Sequence, residues 1–176
     1  GVQTCALPIS VRLGAGLDKR GNLTVQAMQT ALACLGRFSE ILRSVPLSAV
    51  RVVGTNTLRI AKNKDAFLDL AEKAIGYPIE IISGEEEGRL IYLGVATTLD
   101  LPDERRLVVD IGGGSTELVL GQGYDIEAVE SFSVGTVATA QEFFGNDRIT
   151  ESAFAAAVLN ARSYFEDGME PFHPRL

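Results

Sequence analysis

Apolar residues first fall into register after Thr24, where Ala27, Met28, Ala31, Leu32, Leu35, Phe38, Ile41 and Leu42 recur at helical spacing up to Pro46. That spacing predicts one long amphipathic helix with Thr24 as its N-cap. Residues 50–53 form a short β-branched run ending at Gly54, and Phe67, Leu68, Leu70, Ala71, Ala74 and Ile75 give a second helical pattern after Asp65. Gly76 stops that helix, and residues 79–82 read as the next buried strand. After Ser83-Gly84 comes an acidic start, Glu85, Glu86 and Glu87, followed by Leu90, Ile91, Leu93 and Val95. This is the pattern of a helix that carries carboxylates where its dipole favours negative charge. Strand and helix thus alternate over short connections, the sequence sign of an α/β layer with parallel strands.

The pattern changes after the polar, proline-containing stretch TTLDLPDERR at 97–106, where a domain boundary is expected. Residues 107–110 and 116–120 read as two strands joined by Gly112-Gly113-Gly114, and residues 126–132 as a third, which makes an antiparallel meander. Two helical patterns follow, at about 137–144 and from the N-cap Thr150 to about 165. No short-period repeat or low-complexity segment interrupts them.

Composition narrows the class. The 176 residues are 46% hydrophobic, enough for a sizeable core, and 16 Lys+Arg against 23 Asp+Glu give a net charge of −7. That charge opposes non-specific attraction to nucleic acid or an anionic membrane, so an anionic substrate would have to be captured by local chemistry. The sequence contains no apolar run of about 18 residues and no secretory signal pattern. The expected location is cytoplasmic. Cys5, Cys34 and His173 are too few and too scattered for a zinc site or a disulfide framework, and Cys34 among Leu32, Ala33 and Leu35 reads as core. Residues 1–9, GVQTCALPI, coincide with one translation frame of a common sequencing-library adapter and are read as non-native, with genuine sequence expected from near Ser10.

The strongest chemical feature is VVDIGGGSTE at 108–117. Consecutive glycines let a backbone approach a ligand closely and turn several N–H groups toward phosphate oxygens. Ser115 and Thr116 add hydroxyls, and Asp110 and Glu117 offer hard oxygen ligands suited to Mg²⁺. The competing reading is a glycine hairpin with solvated acids. The loop lacks the lysine of a Walker motif and is followed by a strand where a dinucleotide fingerprint needs a helix.

Two weaker features stand beside it. Glu85, Glu86 and Glu87 could place a general base near a reaction centre, or could simply be a solvated helix start. Arg59, which ends GTNTLR at 54–59, could neutralise phosphate charge, or could be a surface ion-pair partner.

In order along the chain, GTNTLR at 54–59, YPIEIISGEEEGRLIYLGV at 77–95 and VVDIGGGSTELVLG at 108–121 are similar to successive segments of the exopolyphosphatase/guanosine pentaphosphate phosphohydrolase family. The resemblance runs from Val11 to about Phe165. It implies an α/β, actin-like (ribonuclease H-like) two-domain fold, represented here by an N-terminal fragment truncated at both ends. Residues 10–100 would belong to the first domain and residues 101–176 would begin the second.

By the same resemblance Glu87 is the catalytic glutamate that activates water, with Glu86 as its near competitor. Asp110 and Glu117 match acidic positions linked to Mg²⁺ and to water positioning. Gly112, Gly113, Gly114, Ser115 and Thr116 match the second phosphate loop, and Arg59 matches an arginine near the phosphates. The implied reaction is Mg²⁺-dependent hydrolysis of terminal phosphoanhydride bonds in inorganic polyphosphate or guanosine pentaphosphate, as in the stringent response. The resemblance also implies a homodimer for the full-length protein, while the net charge and the lack of a long apolar run lead to the expectation of no nucleic-acid partner and no transmembrane segment.

This chain departs from the family at its start. The first phosphate loop, an Asp-x-Gly-Ser-Asn-Ser type segment, should lie upstream of Val11. The chain alone is therefore expected to be inactive and to fold poorly, exposing core surface. Two other classes remain open, a non-catalytic polyphosphate- or nucleotide-binding module and an actin-like ATPase or sugar kinase. A kinase would need an acceptor-hydroxyl site and an aspartate base, and neither is identifiable here. Sequence alone does not separate polyphosphate from guanosine pentaphosphate, or Glu86 from Glu87 as base.

Overall fold

The computed structural model describes residues 11–99, 101, 103–145 and 148–172. The expectations for residues 1–9 and for His173 lie outside them. The chain divides into two compact units between Ile81 and Ile82.

In the first unit, a 3-10 turn at Leu13–Gly16 precedes α1 (Val25–Ser44), and the Thr24 hydroxyl accepts from Ala27 N–H at 3.3 Å as the cap. Next come β1 (Val52–Gly54), α2 (Asn56–Ile60), α3 (Lys64–Ile75) and β2 (Ile79–Ile81). Strands β1 and β2 pair in parallel, with Val52 opposite Ile79 and Gly54 opposite Ile81, as the alternation of strand and helix requires. Gly76 ends α3 at φ 83°, a left-handed conformation that a residue without Cβ adopts freely. Leu23, Ala31, Leu58, Ala61, Phe67 and Ala71 form the core of this unit. The short α2 was not expected, because five residues give no helical period to read. Its buried Leu58 shows that packing holds it.

The second unit starts with α4 (Gly84–Leu99) and continues through β3 (Arg105–Ile111), β4 (Thr116–Gln122), β5 (Asp125–Phe132), α5 (Thr136–Phe143) and α6 (Glu151–Gly168). The expected meander is present, in the order β3-β4-β5, antiparallel throughout. Strand alternation gives the sheet two packed faces. On one, Tyr92 and Ala96 of α4 pack with Val119, Val108, Ile126 and Val129. On the other, Leu118, Leu120, Ala128, Phe132, Val134 and Phe172 form a core with Ala161, Phe165 and Met169.

The compact units separate before α4, while the polar stretch at 97–106 spans the end of α4 and the start of β3. The reason is local. Gly88, Tyr92 and Ala96 are the buried residues of α4, and a Cβ on Gly88 would stand 3.1 Å from methyl groups of both Val119 and Val129. A small residue there lets the helix lie directly on the second sheet.

Candidate active site

Register assembles the site within the second unit. Asp110 is paired with Glu117 across β3 and β4, and Glu117 with Ser131 across β4 and β5. Residues directly opposite one another in antiparallel strands share a face, so all three lie on the face that α4 covers. Asp110 is half-buried, whereas Glu117 is only 1% exposed. Ser131 Oγ donates to Glu117 Oε1 at 2.8 Å, and Oε2 is buried with no hydrogen-bond partner among the described residues.

Helix α4 brings its first turn to the same place. Ser83 caps it, its Oγ accepting from Glu86 N–H at 3.1 Å and its carbonyl from Glu87 N–H at 3.0 Å. Glu87 directly precedes Gly88, whose added Cβ would lie 3.5 Å from Glu117 Cβ. Glu86 instead makes an ion pair with Arg89 at 3.8 Å. Burial pushes the Glu117 carboxyl above its ordinary range, the Ser131 and Ser115 hydroxyls pull it back, and the charges of Glu87 and Asp110 push it further up. The charges of Glu87 and Asp110 therefore both act on Glu117 at this end of the sheet.

Between β3 and β4, the loop folds back with Gly112 N–H donating to the Ser115 carbonyl at 2.9 Å. Its carbonyls are taken by α5. Thr136 N–H donates to Gly112 O at 2.9 Å, while Val137 and Ala138 N–H donate to Gly113 O at 2.8 and 3.0 Å. The N–H groups of Gly113 and Gly114 make no hydrogen bond among the described residues, which leaves two adjacent donors of the kind phosphate oxygens accept. Ser115 is buried beside them. Thr116 is buried on the opposite face of the sheet, its hydroxyl donating to Val134 O at 2.7 Å.

Arg59 is half-buried in the last turn of α2, in the first unit, and is not among the groups gathered in the second. Sequence reasoning missed Ser131 and Gly135. Gly135 abuts the loop so closely that an added Cβ would sit 2.5 Å from Gly114 N. No local pattern marks either residue, because each matters through a partner distant in sequence.

Among the described residues, no group of three or more His, Cys, Asp or Glu side chains is arranged to hold a metal ion. The residues do fit Mg²⁺ in another way. This ion commonly takes one or two carboxylates and completes its shell with phosphate oxygens and water, and Asp110 with the unmatched Oε2 of Glu117 offers such a pair. Among the described residues, no helix is long and apolar enough to cross a membrane.

The fold and the site together define an α/β protein with a glycine loop between two antiparallel strands and acidic residues on the adjoining face of the sheet. The chain belongs to the Ppx/GppA phosphatase family, whose model matches residues 7–174 and so takes in residues 7–9 of the segment read as non-native. It therefore has the α/β actin-like fold that the resemblance implied. It is 44% identical over 172 residues to a guanosine-5'-triphosphate,3'-diphosphate pyrophosphatase of Vibrio parahaemolyticus, a match covering 97% of this chain and 34% of the relative. Among solved structures it is similar to an exopolyphosphatase-like protein, with TM-score 0.82 and 30% identity over 90% of this chain and 51% of the other. It is also similar to an exopolyphosphatase from Cytophaga hutchinsonii, with TM-score 0.74 and 30% identity over 89% of this chain and 50% of the other. The chain spans about a third of the length of the curated relative and about half that of the solved structures.

Proposed function

We propose that the protein to which this chain belongs hydrolyses a terminal phosphoanhydride bond, with guanosine pentaphosphate or inorganic polyphosphate as substrate and orthophosphate as product. The observation that carries this reading is the convergence of Glu87, Asp110 and Glu117 beside a loop with two uncommitted N–H donors. The name of the Vibrio relative favours guanosine pentaphosphate, and that of the Cytophaga structure favours polyphosphate.

In this mechanism Gly113 and Gly114 N–H groups, with Ser115, hold oxygens of the terminal phosphoryl group. Glu87 takes a proton from water as the water oxygen bonds to phosphorus, and the bond from phosphorus to the bridging oxygen breaks. Glu87 is preferred over Glu86 because it is the residue that interacts electrostatically with Glu117. Asp110 and Glu117 would hold Mg²⁺, which when bound neutralises charge on the transferring group. The expected setting is the cytoplasm, with the full-length protein a homodimer.

The test uses the full-length protein encoded at the source locus and its Glu87→Gln variant. Phosphate release from guanosine pentaphosphate and from polyphosphate is measured with Mg²⁺ and with a chelator. Magnesium-dependent release that collapses in the variant supports the reading. Tight binding of either substrate without release would replace it with a binding module.

A further inference from the structure

Glu117 is 1% exposed, yet its carboxylate is only half satisfied. Ser131 Oγ donates to Oε1 at 2.8 Å, while Oε2 is buried with no hydrogen-bond partner among the described residues. An unmatched buried acceptor is destabilising, and an apolar pair of similar shape would fill the same space at less cost. A purely structural role therefore explains the arrangement poorly. Its location explains it better, since Glu117 stands opposite Asp110 on the face carrying Glu87 and next to the glycine loop.

We propose that Ser131 is a positioning residue for the reaction, fixing the Glu117 carboxylate through Oε1 so that Oε2 is the oxygen presented to the reacting group. This inference rests on the hydrolase reading above. Two strands make the positioning rigid. Glu117 and Ser131 are direct partners in the β4–β5 register, so their Cα atoms are held by backbone bonds on either side. Above them α4 approaches closely at Gly88, where an added Cβ would stand 3.5 Å from Glu117 Cβ. With Oε1 engaged, rotation of the carboxyl group would break the hydrogen bond. Ser115 also favours the charged carboxylate, but Oε2 still has no partner. A serine at 131 thus acts at one remove from substrate, as groups that orient a ligand-bearing carboxylate do.

The test compares wild type, Ser131→Ala, Ser131→Thr and Glu117→Gln in the full-length protein. With guanosine pentaphosphate and Mg²⁺, Ser131→Ala should lower kcat by about ten- to a hundredfold with little change in KM, and Ser131→Thr, which keeps the hydroxyl, should restore it. Unchanged kcat in Ser131→Ala, or equal loss in the threonine variant, overturns the proposal. A second readout needs no activity. The Glu117 carboxylate infrared band, assigned by its loss in Glu117→Gln, should shift in Ser131→Ala and return in Ser131→Thr. If wild type releases no phosphate, the hydrolase reading falls and this band alone decides. A shifted band then supports Ser131 as the group holding the carboxylate, and an unshifted one overturns it.

Discussion

Gly135 lies against the backbone of Gly114, so that a Cβ at position 135 would stand 2.5 Å from Gly114 N and 2.6 Å from Gly113 C. Its backbone is extended, at φ −154°, a conformation any residue adopts, so the requirement is for space alone. Gly135→Ala should displace the glycine loop and, on the proposed hydrolase reading, lower phosphate release by the full-length protein on the order of a hundredfold, the cost of a misplaced binding group. Circular dichroism should stay close to wild type. Full activity in this variant would show that the loop is not held by this contact.

Helical phase gives the second prediction. Glu87 of α4 interacts with Glu117 on the sheet face that the helix covers, whereas Glu86 pairs along its own helix with Arg89, an exposed pair of little energetic weight. Glu87→Gln should lower kcat by about a hundredfold or more, and Glu86→Gln should leave it close to wild type. A reversed order in steady-state kinetics would exchange their roles.

At Gly88 the limit is packing. An added methyl would stand 3.1 Å from both Val119 and Val129 methyl groups, so Gly88→Ala should destabilise by about 1–3 kcal/mol through overpacking. Thermal unfolding of the full-length protein measures this. The double variant Gly88→Ala with Val129→Ala should recover some of the loss, since it removes one of the two clashing groups.

The turn before α1 carries a pH dependence. Asp18 Oδ1 accepts from Asn22 N–H at 2.9 Å and Arg20 N–H at 2.8 Å, and these bonds, that from Asn22 first, hold its carboxyl below the ordinary value of 3.8. A pKa lowered by folding means that the charged form is favoured in the folded state. The stabilisation is complete above the unfolded value and is lost as pH falls through the lower folded one. Denaturant unfolding from pH 7 to pH 3 should show Asp18→Ala less stable than wild type near neutrality, with the gap closing toward the acid end.

Regular elements were legible wherever a residue's role depended on near neighbours. The meander could be read because Leu118 and Leu120 alternate with Glu117 and Val119, and the caps at Thr24 and Thr150 could be read because each bonds within three residues. The loop could be read from its three glycines. Ser131 could not, since its importance comes from lying opposite Glu117, and register is set by the whole sheet. Which unit holds α4 was not legible either, because polarity at 97–106 marks a loop, whereas the packing of α4 is decided by which sheet receives Tyr92 and Ala96.

In the glycine loop the peptide planes link donors to acceptors. The carbonyl of Gly112 shares its plane with Gly113 N–H, and that of Gly113 with Gly114 N–H. Both carbonyls accept from the first turn of α5, and hydrogen bonds linked through one amide polarise each other. Helix α5 therefore electrifies the two donors from behind, lending them its positive end. Fraying of that first turn would weaken both donors before any loss of folded structure could be detected.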